Sequence, residues 1–281
     1  MDGLPIETTK TLSSVLVLEI LLTWESFVPF FFYFAGAPAA RGIHALRNLS
    51  LGVINAALNG LVCLTMWLQV SQWACDLQFG LLNWVTMPGW ARLVGALLLL
   101  DAWAYIWHRL NHRIPFLWRF HRVHHSDQRM DVTTASRFHF GEIILSCLLR
   151  LPVIALAGVE IWELAFYEAL AFFVIQLHHA NVSLPGKVDR YARIIVVTPF
   201  MHKVHHSCWQ PETDSNFSVM FSFWDRLFHT FRLRNDPHSL RLGLEQFDEP
   251  RHQTLAGLLT TPAEQTTSPS YPKEGIQSLR V

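Results

Sequence analysis

The chain has 281 residues, 51% hydrophobic and 16% charged, against about 25% charged in a typical soluble domain. Twenty-two basic residues balance twenty-two acidic ones, so the charge excess of a nucleic-acid-binding chain is missing and no nucleic-acid partner is expected. Cys63, Cys75, Cys147 and Cys208 have no C-x-x-C spacing, which argues against both a disulfide scaffold and a thiolate zinc site.

From the N-terminus, Leu12 to Phe34 is almost wholly apolar and long enough to cross a bilayer, although Glu19 and Glu25 interrupt it. A cleaved signal peptide is disfavoured, because Asp2 and Glu7 stand where positive charge is expected and no A-x-A-like site directly follows. Leu49 to Val70 and Ala91 to Trp107 are the next two near-spanning runs, the latter carrying Asp101. Ile143 to Ala157 and Ile161 to Leu177 flank the break Gly158-Val159-Glu160 and read as a helical hairpin through the bilayer. The expected fold is therefore all-α and integral to the membrane. It has four to five transmembrane helices and a cytoplasmic helical cap.

Orientation follows from the arginines. Arg41 and Arg47 lie in the first connection, whereas Ser71 to Trp90 carries neither Lys nor Arg. Alternation then places Arg109, Arg113, Arg119, Arg122, Arg129 and Arg137 in the cytoplasm, with the tip at Gly158 outside. Arg92 and Arg150 are exceptions that snorkel or pair. The sequence divides into N-terminal membrane helices (1–96), a histidine-rich unit (97–247) and a polar tail (248–281), loose from Thr260 onward because its Ser, Thr, Pro and Gln cannot bury a core.

The histidines form three boxes. His108 and His112 are four apart on the continuing third run, and His121, His124 and His125 again share helical spacing that converges on one face. His202, His205 and His206 repeat that spacing. A lone H-x-x-x-H is weak, but packing gives no reason to collect eight imidazoles beside a membrane boundary. One tetrahedral zinc needs four ligands, so eight or more histidines imply two metal ions. No H-E-x-x-H occurs, which disfavours a zinc peptidase.

The residues Leu100-Asp101, Tyr105, His108, His112, Leu117 to His121 and His124-His125-Ser126 resemble the fatty acid hydroxylase and sterol desaturase superfamily. So do His179-Ala180-Asn181-Val182, Thr198-Pro199, His202, His205-His206-Ser207 and Trp224 to Phe228 before Thr230. The resemblance covers about Leu97 to Phe231 and is closest to bacterial members of unassigned substrate. It implies a histidine-ligated di-iron oxygenase of the bacterial inner membrane, taking dioxygen as cosubstrate and acting on a fatty acyl, sterol or related lipid. Hydroxylation is favoured over desaturation. The purified protein would hold two Fe ions or misloaded Zn, and a separate donor, ferredoxin or a cytochrome with its reductase, would supply electrons, since neither H-P-G-G nor G-x-G-x-x-G is present.

The resemblance also assigns His108, His112, His121, His124, His125, His202, His205 and His206 as ligands, and adds His179. His178 stands where Gln or Asn is commoner, and both ligation and a hydrogen-bonding role remain open for it. Arg137, His139 and Glu142 are similar to R-x-H-P-x-E, with Phe140 in place of Pro, and His139 either orients a ligand or ends the preceding loop. Asn181, Asn216 and Asp225 complete the supporting candidates; Ser218 and His229 replace customary glycines. His44, His238 and His252 read as solvated or interfacial. Asp101, Glu142, Glu163 and Glu168 are functional candidates or helix-helix partners.

Two other classes compete with an oxygenase: a dinuclear zinc hydrolase acting on a membrane lipid, and a non-catalytic metal-binding or transport protein. The orientation is tested by thiol labelling in sealed cells. An impermeant reagent should modify Cys75 and leave Cys208 protected, and labelling of Cys208 would reverse the topology.

Overall fold

A computed structural model describes the backbone of residues 6–265 and 278–279, with side chains from 15 to 265. Helix α1 (Ile6–Phe27) ends just before Pro29, which interrupts the first apolar run short of Phe34. Pro38 then opens α2 (Pro38–Leu58), and a single π-helical stretch (Asn59–Cys63) joins it to α3 (Leu64–Asp76). After the short α4 (Leu81–Trp84) come α5 (Gly89–Arg113) and α6 (Pro115–His125). The hairpin is α7 (Phe140–Ala157) and α8 (Ile161–His179). Shorter helices follow: α9 (Gly186–Ala192), α10 (Pro199–His205), α11 (Gln210–Thr213), α12 (Phe223–Leu227) and α13 (Leu255–Thr260). Among the described residues, the strands are a two-residue antiparallel pair, Leu233–Arg234 with Ser278–Leu279.

Four helical segments among the described residues are long and apolar enough to cross a membrane: Pro38–Trp84, Gly89–Arg113, Phe140–Ala157 and Ile161–His179. Helix α1, whose side chains are described only from Val15, stands outside that count. Leu51, Val53, Leu61, Val94, Leu148 and Phe173 illustrate the division of these helices, with Leu51 buried and the others turned outward. A helix apolar all round suits a lipid surround.

At one end of the bundle, α7 stops at Gly158 in the left-handed region (φ 70°), as helices commonly do at glycine. Gly80 (φ 104°) packs directly on it, where an added Cβ would meet the Gly158 nitrogen at 2.5 Å. Arg92 joins this end by donating to Gly158 O (2.8 Å) and pairing with Glu163 (3.0 Å) and Glu160 (3.2 Å). It pairs, as one of the two exceptions to the charge asymmetry was expected to do.

The opposite end carries the histidines. Beneath them Asp101 accepts from Met220 N, Phe221 N, Trp224 Nε1 and Tyr167 Oη at 2.9–3.2 Å, so it anchors the 219–224 segment on α5 and α8. Residues 248–265 are a correction to the expected loose tail. Leu258 and Thr261 are buried, Arg122 donates to Thr261 O and Glu264 O, and Gln253 bridges Arg137 (2.8 Å) and Ser126 O (3.0 Å). Apart from Ser278–Leu279, the remainder of that tail lies outside the described residues.

Gly158→Ala should destabilise the protein by about 1–2 kcal/mol through the left-handed backbone alone, before any clash with Asn83 and Phe79. Thermal unfolding in detergent would read this as a lowered Tm, whereas Gly186→Ala, which meets open space, should be close to neutral.

Candidate metal centre

Local sequence rules aim the three boxes at one another. Helix α5 ends at Arg113 because Ile114, held extended (φ −98°, ψ 115°) before Pro115, cannot continue it. Pro115 restarts the chain as α6, and His121 and His125 then face His108 and His112, while His124 faces His179 and His206. Thr198 caps α10 by accepting from Met201 N (3.4 Å), with Pro199 in its first turn, and this sets the direction of His202, His205 and His206. Lys203 ties α10 to the end of α8 through Ala180 O (2.6 Å), bringing His179 alongside.

The imidazoles form two groups, His108, His112, His121, His125 and His205, and His124, His179, His202 and His206. Within each group one ligand atom per residue lies within 4.8 Å of the others. Each H-x-x-H-H box is divided: its i, i+4 pair joins one group and its middle histidine the other. The three members of a box, expected to share one helix face, are thus divided between two groups. At about 100° per residue, i+3 and i+4 are far enough apart to address separate centres.

Two observations show that metal ions fit. In the second group His124 Nε2 and His179 Nε2 are 3.1 Å apart, His179 and His202 Nε2 3.0 Å, and His202 and His206 Nε2 3.2 Å. Nitrogens held about 2.0–2.1 Å from a common ion stand a little over 3 Å apart. His179 Nδ1 donates to Ile175 O (2.7 Å), so its Nε2 presents a lone pair to the others. In the first group, His108 Nδ1 donates to Phe217 O (2.8 Å), His205 Nδ1 to Ser215 O (2.7 Å) and His121 Nδ1 to Glu142 (2.9 Å). Their Nε2 atoms are buried with no hydrogen-bond partner, the arrangement of a metal-ligating histidine fixed through its other nitrogen. Burial, reinforced by neighbouring imidazoles, holds His124, His125, His202 and His206 well below the usual 6.5, and burial takes His205 down to about 3. These rings are therefore neutral and able to ligate at ordinary pH.

The supporting candidates divide by contact. Glu142 touches His121 and also accepts from Asn111 (3.2 Å). Asp225 accepts from Phe217 N (2.7 Å), Ser218 N (3.0 Å) and Thr230 Oγ1 (2.7 Å), and so positions the carbonyl that receives His108. Asn216, at φ 53°, bonds Met201 O and both backbone groups of the 232 segment it faces. Arg137 is buried and reaches Val123 O, Ser126 and Asn48. Asn181 pairs with both backbone groups of Phe31, and His139 caps α7 through Gly141 N while facing Leu259 O. His178 belongs to neither group, although its ring centroid is 3.9 Å from that of His202 and it lines the adjoining cavity.

Two histidines read as solvated are enclosed. His44 bridges Asp127 (3.0 Å) and Asp131 (3.4 Å) beneath the second group, and His252 is buried against Phe247 and 3.3 Å from Glu264. Neither occupies a box or a periodic position, so nothing local to the sequence distinguished them. His238 is exposed.

Beside both groups lies a cavity of about 200 Å³ between α5, α7 and α8. His108, His124, His179 and His202 form its metal-side wall, with Ala104 and Ala171 among its other lining residues.

Residues 93–230, which contain all nine grouped histidines, match the family model described as fatty acid hydroxylase. That stretch, just under half of the chain, is similar to the fatty acid hydroxylase family. Among curated relatives, the ornithine lipid hydroxylase OlsE of Rhizobium tropici is 32% identical over 54% of this chain and 45% of its own length. Alkylglycerol monooxygenase of Homo sapiens is 24% identical over 82% of this chain and 48% of its own length. Cholesterol 25-hydroxylase of Rattus norvegicus is 26% identical over 52% and 48%, respectively. The chain thus spans about half the length of these relatives. No solved structure matches it.

The division of the boxes makes a specific prediction. His205→Ala should remove the ion of the first group and His124→Ala that of the second, each lowering metal content from two to one per chain, while His238→Ala retains two. Elemental analysis of detergent-purified protein decides it; two ions in His205→Ala protein would break the assignment.

Proposed function

We propose that the chain is an integral-membrane lipid hydroxylase that uses dioxygen, with two irons held by the nine grouped histidines. The observation that carries this reading is the cavity in the membrane-spanning bundle whose wall includes nitrogens of both histidine groups. Bound iron would supply the change of oxidation state needed to reduce dioxygen and attack a C–H bond, a change zinc cannot make. Imidazole accepts either metal, and the hydroxylase and monooxygenase names of the relatives support iron over zinc hydrolysis.

The chain's own residues provide the rest. Ala104, Ala171, Ile143 and Ile175 leave an apolar channel for a lipid chain and keep water from the reacting carbon. Phe217 O, Ser215 O and Glu142 hold three imidazoles in the tautomer that offers Nε2. The substrate is a membrane lipid, as the names of the ornithine lipid, alkylglycerol and cholesterol relatives suggest. Electrons arrive from a separate ferredoxin or cytochrome on the cytoplasmic side, where the arginine asymmetry puts the histidine end.

The test is reconstitution with ferrous iron, an electron donor, a mixed lipid extract and ¹⁸O-labelled dioxygen. Two irons per chain and a lipid product carrying one ¹⁸O are expected. Zinc-dependent turnover with oxygen drawn from water would establish a hydrolase instead, and an unsaturated product without label would establish desaturation.

A further inference from the structure

Arg150 and Glu168 are an ion pair (2.5 Å) midway along the α7–α8 hairpin, and both line the cavity that reaches the histidines. On α7 one face runs from Glu142, which holds His121, through Ser146 to Arg150; on α8 it runs from His179 through Ile175 and Ala171 to Glu168. The rise of a helix puts the pair about 12 Å from Glu142 along α7 and about 16 Å from His179 along α8. Charges at such depth are costly even when paired, and an apolar pair of similar volume would hold the hairpin at least as well.

The pair is also unfinished. Arg150 Nε is buried without a hydrogen-bond partner, although Nη1 reaches Glu168 and the guanidinium lies 4.9 Å from the ring centre of Trp67. The Glu168 side chain retains 42% of its exposure. Both side chains line the cavity, the Arg150 guanidinium with hydrogen-bonding capacity left over and the Glu168 carboxylate still partly exposed.

We propose that Arg150 and Glu168 form the polar end of the lipid site and select a substrate bearing an uncharged group that both donates and accepts, a hydroxyl or a secondary amide. Such a group accepts from the Arg150 guanidinium and donates to the Glu168 carboxylate, leaving the buried assembly neutral. A carboxylate in the same place competes with Glu168 for Arg150 and adds a net negative charge to a low-dielectric site. An alkane leaves both groups unpaired, the situation in which polar sites discriminate most strongly. The separation along the helices places this group about 12–16 Å from the oxidised carbon. This inference rests on the lipid hydroxylase reading for its purpose, but its test needs neither metal nor dioxygen.

Binding is measured on detergent-purified full-length protein by displacement of a fluorescent polyene alcohol. The competitors are a long-chain alcohol, the N-alkylacetamide, the fatty acid and the alkane of matched length. Alcohol and amide should bind at least 10-fold more tightly than fatty acid or alkane. In the Arg150→Met/Glu168→Leu double variant that preference should fall to within about 3-fold. Glu168→Gln leaves Arg150 its charge and should invert the order in favour of the fatty acid, a reversal that a purely structural pair would not produce. Unchanged discrimination in these variants, or fatty acid binding as tight as alcohol in the unmodified protein, overturns the proposal. Loss of turnover with the binding preference intact would instead count against the hydroxylase reading alone.

Discussion

Nine imidazoles aimed at two points inside one end of a helical bundle set the terms for the rest of the molecule. Each buried ring nitrogen without a partner costs on the order of 1–3 kcal/mol, and nitrogen lone pairs that face each other at 3.0–3.2 Å repel. Two cations bound between them would convert that cost into stabilisation and so link the folding of this end to metal binding. The two groups draw on α5, α6, α8 and α10, elements far apart in sequence, so bound ions would cross-link the membrane helices and the segments that cap them.

The surrounding hydrogen bonds keep those rings in register. Asp225 holds the 216–218 backbone, Phe217 O holds His108, and Ser215 O holds His205. Asp101 fixes the next segment from the membrane side. Arg137 and Gln253 clamp the far side of α6 to the C-terminal segment. Buried charged residues here mostly grip backbone groups that have no helix or sheet to satisfy them, which is why a histidine cap built largely of short helices and turns can stay ordered.

The same bundle supplies both confinement and selectivity. Small residues such as Ala104 and Ala171 open space between α5, α7 and α8, and the flanking large side chains exclude water. The Arg150–Glu168 pair gives the cavity a charged landmark at the end away from the histidines. Under the proposed function, a lipid held by that pair would have its position fixed at one end, and its length would decide which carbon reaches the histidine end.

The sequence by itself determined the apolar runs, the α7–α8 hairpin with its glycine turn and the three histidine boxes, because these signals are local: hydropathy, backbone conformation and helical spacing are written within a few residues. The assignment of each histidine to a centre, the enclosure of His44 and His252, the docking of residues 248–265 and the meeting of Arg150 with Glu168 were decided only by tertiary structure. Each depends on which face of one helix meets a distant segment. His124 and His125 are adjacent in the chain yet belong to different groups, since a turn of about 100° per residue points neighbours in different directions and only the packed bundle defines what lies there.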